Sequence, residues 1–274
     1  MAFLDINGRS VAYRLLGPEA LPLVVLAHPL GMTQAVWDDL LPALLPRYRV
    51  LTWDLPGHGA SQAWPEASGE ISPADLAAEA LTLADYAGSQ RFHFVGTSIG
   101  GVVGQQLIAE HAGRLLSATL TNTGAVIGNA ELWTTRAGRV REEGLAAMSG
   151  EIVPRWFSAQ RLKDEPALEA GWRTQMARTD GESYARLCEM LGRTDFCGKL
   201  KGPLAQHPNV SVHLLGGSED VATPPETLQA LAGECGGLPL EILEGFAHVP
   251  SVEDPQAMAK RLLLWMASDR DDVG

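Results

Sequence analysis

Arg91-Phe92-His93-Phe94-Val95-Gly96-Thr97-Ser98-Ile99-Gly100-Gly101, running on through Val102, Val103, Leu107 and Ile108 to His111, reads as a strand that passes almost directly into a helix. Phe92, Phe94 and Val95 are short, apolar and rich in strand formers, whereas apolar residues recur at helical spacing after Ile99. Ser98 falls on the turn between them. Gly96-Thr97-Ser98-Ile99-Gly100 is the pattern Gly-x-Ser-x-Gly, whose small flanking residues let the backbone turn sharply. Such a turn holds the serine in a strained conformation at the helix N-terminus, its hydroxyl exposed and near the helix-dipole amides. The same letters also describe a glycine-rich turn with an ordinary helix cap, so the partners of Ser98 have to be sought elsewhere in the chain.

The 274 residues carry a net charge of -12 with 46% hydrophobic content, which fits one soluble domain with a sizeable core and an inserted lobe. Nothing resembles a basic stripe or an amphipathic Lys/Arg helix, which argues against nucleic acid and against anionic membrane surfaces as partners. Residues 1 to 30 lack a basic segment followed by an apolar run and a cleavage site, and no apolar run approaches 18 residues, so a cytoplasmic location is expected. Cys188, Cys197 and Cys235 are odd in number and lack metal-ligand spacing; they read as reduced thiols, with no metal site.

Upstream of the Ser98 turn, Phe3 to Ile6 and Val11 to Leu16 read as a hairpin around Asn7-Gly8, the commonest type I′ signal. Leu21 to Ala27 is a continuous apolar strand, the mark of a parallel sheet covered on both faces. His28-Pro29-Leu30-Gly31 ends it, and Trp37, Leu40, Leu41 and Leu44 mark an amphipathic helix before the strand Arg49 to Trp53. Asp54-Leu55-Pro56-Gly57-His58-Gly59-Ala60-Ser61 is glycine-rich but lacks the lysine ending and the spacing of a nucleotide loop. Pro73 to Tyr86 is the next helix, with Ser72 as its cap.

Beyond Ser117 to Leu120, a further strand, residues 128 to 197 hold helix-compatible segments and no convincing strand. Alternation resumes with Val210 to Leu215, Pro224 to Ala232, Leu238 to Leu243 and Pro255 to Ala267. The expected organisation is therefore a core of residues 1-127 and 198-274 interrupted by a helical lid at 128-197. Leu214 to Asp220 sets a carboxylate just past one resumed strand, and Gly245-Phe246-Ala247-His248 sets an imidazole just past the next. Ligands gather at that edge of an open parallel sheet. Ser98, Asp220 and His248 thus share one edge as nucleophile, orienting carboxylate and base, although Asp220 also reads as a solvated loop residue and His248 as a surface histidine. His28 and His58 are candidates for the pocket floor.

The Gly-x-Ser-x-Gly turn, the His28-Pro29-Leu30-Gly31 loop, Asp54-x-x-Gly57-x-Gly59-x-Ser61, Gly217-x-x-Asp220 with Thr223-Pro224, and His248-x-Pro250-x-x-Glu253-x-Pro255 together resemble the α/β-hydrolase superfamily over nearly the whole chain. The resemblance implies an α/β fold with a mostly parallel central sheet flanked by helices, and oxyanion donors at the backbone N-H of Leu30 and Ile99. Asn122-Thr123 through Gly128, Trp133, Arg136, Glu143-Gly144 and Pro154-Arg155-Trp156-Phe157 look like the 3-oxoadipate enol-lactonases of bacterial aromatic catabolism. Those enzymes commonly have Ser-Asn-Ser-Leu-Gly where this chain has Ala27 to Gly31, and a Leu-Ser-Met core where it has Thr97-Ser98-Ile99. The likeness implies an ester or lactone substrate opened through an acyl-serine and no organic cofactor. An anionic lactone would need a cation, for which Arg136, three residues after Trp133, is the first choice and Arg155 beside Trp156 the second, with Trp133 and Trp156 as apolar walls. Arg136 also reads as a solvated arginine on a helix that carries Arg139 and Arg141. Small-ester, perhydrolase and carbon-carbon bond hydrolysis remain open on the same triad, as does a ligand-sensing receptor.

Overall fold

The structure, a computed structural model, describes residues 1-268. Strands β1 (Ala2–Ile6) and β2 (Arg9–Leu16) form the expected hairpin. Asn7 and Gly8 at its tip have φ of 54° and 78°, the two left-handed residues that a type I′ turn requires. β3 (Leu23–Ala27) is buried along its whole length, starting just after Pro22, which cannot donate to a ladder.

The helix expected through Trp37 to Leu44 is instead a 3₁₀ helix, Gln34–Leu40, running into the single α turn α1 (Leu41–Leu44). Pro42 lacks the N-H that an α-helix would aim at the Asp38 carbonyl, and that carbonyl takes the Leu41 N-H in a tighter bond. Trp37, Leu40 and Leu44 are buried all the same.

The chain continues through β4 (Arg49–Trp53), α2 (Pro73–Tyr86), β5 (Phe92–Thr97), α3 (Ile99–His111) and β6 (Leu115–Thr121). At the start of α2, Ser72 and Asp75 close a reciprocal capping box. Next come α4 (Ala130–Glu143), α5 (Leu145–Ile152), α6 (Ala159–Asp164), α7 (Pro166–Met176), α8 (Gly181–Arg193) and α9 (Lys201–Gln206), with no strand between β6 and β7 among the described residues. The core pattern returns with β7 (Ser211–Gly217), α10 (Pro225–Glu234), β8 (Leu240–Leu243), α11 (Pro250–Glu253) and α12 (Pro255–Ser268).

The eight strands form one sheet in the order β1-β2-β4-β3-β5-β6-β7-β8. β1 and β2 are antiparallel, and every pairing from β4 through β8 is parallel. The order reverses at β3, whose neighbours are β4 and β5, so the loops leaving those strands open on one crevice at their carboxyl ends. Within the helical segment α8 buries Tyr184, Leu187, Cys188 and Leu191. Arg141 of α4 pairs with Glu182 and Glu189 of α8 at 2.8 and 2.6 Å; these pairs are solvated and add little beyond fixing the helix pairing.

One ion pair is different in kind. Arg9 and Glu79, side chains only 3% and 5% exposed, meet beneath the hairpin. Burial pushes the Glu79 carboxyl up, and the guanidinium opposes that. Arg9→Met should therefore cost about 3-5 kcal/mol by leaving a buried carboxyl without its partner, and adding Glu79→Met should recover most of it. Urea denaturation of the single and double variants checks both halves; equal stability of the two would show that the pair is not coupled.

Candidate active site

Ser98 has φ 59° and ψ −118° between β5 and α3, a conformation that few side chains tolerate. The flanking glycines are required by contact: a Cβ on Gly96 would stand 2.2 Å from the Gly100 carbonyl oxygen, and one on Gly100 would stand 2.2 Å from that of Ala27. The turn is pinned on both sides. The Ser98 N-H donates to the Thr121 carbonyl at 3.0 Å, and the Ser98 carbonyl accepts from the Thr123 hydroxyl at 2.9 Å. The hydroxyl expected to be exposed belongs to a residue only 9% exposed, because helical residues roof the cavity that it faces.

Asp220 lies in the loop after β7 and His248 in the loop after β8. Nδ1 of His248 is 2.8 Å from Oδ2 of Asp220, and both residues are buried. The carboxylate is otherwise fully engaged. Oδ2 also accepts from the Thr223 hydroxyl at 2.7 Å and from Nδ2 of Asn122 at 2.9 Å, while Oδ1 accepts from the Ala222 and Thr223 N-H groups. Burial works to raise its pKa, but the imidazole and these donors outweigh burial and hold Asp220 well below the usual carboxylate range. An ionised Asp220 fixes the ring with its proton on Nδ1, which leaves Nε2 free to act as a base.

A cavity joins Ser98 and His248 to Leu30, Trp133, Arg136 and Trp156. Asp220 stands behind His248 and Ile99 begins α3, neither of them in the wall. Arg136 turns into the cavity with its guanidinium carbon 4.9 Å from the centre of the Trp133 ring, a cation-π distance. It lies beside Tyr184, a wall residue from α8. Among the described residues Arg136 has no ion-pair partner, whereas Arg139 and Arg141 on the same helix are each held by two glutamates. Arg155 reaches the wall as well, donating to the Val221 carbonyl at 3.2 Å. His28 and His58 are no part of the floor: wholly buried, they lie behind the loops.

Several residues enter the site without a role assigned from the sequence, although Asn122 and Glu253 stood in the motifs that carry the family resemblance. Asn122, at φ 47° just past β6, bridges Oδ2 of Asp220 and the Ala247 carbonyl with one amide group. Its place at the same sheet edge as Ser98 was the available signal. Glu253 accepts from the Ser158 N-H at 2.6 Å and the Ala247 N-H at 2.5 Å, while the His248 N-H donates to the Trp156 carbonyl at 3.1 Å. These three bonds tie the turn before α6 to the histidine loop. Tyr184 left no local signal at all, since it reaches the site from the far end of the helical segment.

The alpha/beta hydrolase family model matches residues 24-261. Among curated relatives, 3-oxoadipate enol-lactonase 2 of Acinetobacter baylyi is 29% identical over 248 residues, covering 90% of each chain. 3-Oxoadipate enol-lactonase 1 of the same organism is 26% identical over 250 residues, 91% of this chain and 90% of that one. Among solved structures, the enol-lactonase from Burkholderia xenovorans LB400 is similar with a TM-score of 0.87 and 32% identity, over 97% of this chain and all of the other. A hydrolase from Pseudomonas aeruginosa follows at 0.85 and 30%, over 97% of each chain.

Proposed function

The chain belongs to the alpha/beta hydrolase family, and from that membership we propose that it is a serine hydrolase opening a small anionic enol-lactone, of the 3-oxoadipate enol-lactone kind, through an acyl-serine. One observation carries the choice of substrate. The cavity that holds Ser98 and His248 also holds Arg136, a cation without an ion-pair partner among the described residues, stacked on Trp133 in a chain of net charge -12. An unpaired guanidinium beside an aromatic wall suits a ligand with a carboxylate at one end and a flat ring at the other.

In this reading His248 Nε2 takes the Ser98 proton as Oγ attacks the lactone carbonyl, and the N-H groups of Leu30 and Ile99 receive the oxyanion. The ring C-O bond then breaks. His248 returns the proton, so the enol tautomerises to a ketone while the acyl group stays on Ser98. Water, deprotonated by His248, attacks the acyl carbon; the C-Oγ bond breaks, Ser98 regains its proton and a second carboxylate leaves. Residues 128-197 act as the lid over the core of residues 1-127 and 198-274. Trp133, Arg136 and Trp156 select the substrate.

Turnover of 3-oxoadipate enol-lactone against p-nitrophenyl acetate tests the reading. A kcat/KM no higher for the lactone than for the neutral ester would remove the lactone assignment and leave a general esterase. Arg136→Gln should raise KM for the anionic lactone about tenfold, the scale of one charge-assisted contact, and barely move KM for p-nitrophenyl acetate. Equal effects on both substrates would take Arg136 out of the site.

A further inference from the structure

Two histidines that the chemistry above does not use hold the loops on either side of Leu30. His28 follows β3 and His58 lies in the loop after β4; both are wholly buried, with ring centres 5.5 Å apart. Nε2 of His28 accepts from the Leu55 N-H at 3.0 Å, and Nε2 of His58 accepts from the Gly31 N-H at 3.0 Å. A backbone N-H can only donate, so both Nε2 atoms are bare and both ring protons sit on Nδ1. There they have acceptors: the Pro29 carbonyl at 2.8 Å for His28 and the Pro56 carbonyl at 2.8 Å for His58. Each loop's histidine thus grips the backbone of the other loop.

The consequence falls on one N-H group. Pro29 has none to give, the Gly31 N-H is taken by His58, and the Met32 N-H closes a turn on the Pro29 carbonyl at 3.3 Å. Leu30, between them, has an N-H with no acceptor among the described residues, and Leu30 lines the cavity. A second anchor strengthens the frame from below: Asp54 accepts from the Gln34 N-H at 2.9 Å, from Nε2 of Gln34 at 2.8 Å and from the Ala60 N-H at 3.1 Å. From above, Trp156 and Tyr184 pack against Gly31.

We propose that His28 and His58 are positioning residues of the oxyanion hole, a reciprocal brace of two neutral imidazoles that keeps the Leu30 N-H aimed into the cavity. The proposal rests on reading Leu30 and Ile99 as the oxyanion donors. A donor of this kind is effective because it does not reorganise during reaction, and displacement by about an ångström costs on the order of a hundredfold in rate. The charged and titratable groups facing His58 are Asp54, Asp180 and His28, with the Tyr184 ring stacked at 6.3 Å. Burial, with His28 acting in the same direction, outweighs the Pro56 carbonyl and the two carboxylates and keeps the ring neutral.

The test compares His58→Met with His58→Gln on p-nitrophenyl acetate. Methionine matches the length but places a methyl group where Nε2 stands, its sulfur being a weak acceptor one bond nearer Cα, whereas the glutamine oxygen lies as many bonds from Cα as Nε2 does. His58→Met should lower kcat about a hundredfold with KM changed less than about twofold, and His58→Gln should recover to within about fivefold of wild type. A folded His58→Met with wild-type kcat, or a His58→Gln no better than it, overturns the brace. Should His58→Met not fold, imidazole ¹⁵N spectra of the wild-type protein decide. Nδ1-H tautomers on both rings between pH 8 and pH 6 support the brace, and an Nε2-H tautomer on either overturns it. Ser98→Ala separates the two layers: if it keeps turnover the serine reading falls, and if it is inactive while His58→Met is unimpaired only the brace falls.

Discussion

Replacing Ser98 by alanine is expected to lower kcat/KM for p-nitrophenyl acetate by about four orders of magnitude or more, the loss that follows removal of a triad nucleophile. Stability should hardly move. The Ser98 side chain makes no cap bond to α3, and alanine at φ 59° is strained no more than serine, so unfolding free energy should change by less than about 1 kcal/mol. Activity assays and urea denaturation on one preparation separate the two effects. More than about a tenth of wild-type activity in the folded variant would end the acyl-serine mechanism, and a large loss of stability would make the kinetic result uninformative about chemistry.

The parts of this molecule that could be read in advance are those whose cause is local. Gly96 to Gly100 announced the turn because two close backbone approaches there exclude any Cβ, and Asn7-Gly8 announced the hairpin because it needs two positive φ values. Asp220 and His248 were legible because sheet topology alone brings the carboxyl ends of β7 and β8 to one edge. What stayed hidden acts across long stretches of chain. Asn122 reaches Asp220 across 98 residues, and Glu253 takes the N-H of Ser158 across 95. No periodicity records such contacts. Trp37 to Leu44 failed for the opposite reason: the apolar spacing was right, but one proline changed the helix type without changing which residues are buried. The brace mixes both cases. His28 and His58 read as candidates for the pocket floor, and only the tertiary fold shows each turned away from the cavity onto the backbone of the other's loop, at Leu55 and Gly31.

That inward turn carries the second large expectation, a steep loss of stability in acid. Burial, the largest influence on each, lowers His28 from its ordinary 6.5 to about 4 and His58 to about 3, with the neighbouring His28 adding to the effect at His58. Both rings are therefore neutral when folded and take up protons when unfolded as pH drops below 6.5, so the unfolded state binds more protons throughout the window from 6.5 to about 4. Stability is full above that window and is lost as pH falls through it. Each histidine contributes a slope of about 1.4 kcal/mol per pH unit, so the pair should remove about 4 kcal/mol between pH 7.5 and pH 5. Asp220, held low, adds to the loss only at more acidic pH, while the raised Glu79 and Glu253 carboxyls act in the opposite sense, since each binds its proton more readily in the folded state. Against a typical total of about 5-15 kcal/mol, a loss of this size removes about a quarter or more of the stability under mild acid. Urea denaturation at pH 7.5 and pH 5 measures it. The fall should be roughly halved in His58→Gln, because glutamine holds the Gly31 N-H without titrating; a wild-type fall below about 1 kcal/mol, or one that His58→Gln leaves unchanged, would mean that these rings are not the buried neutral pair described.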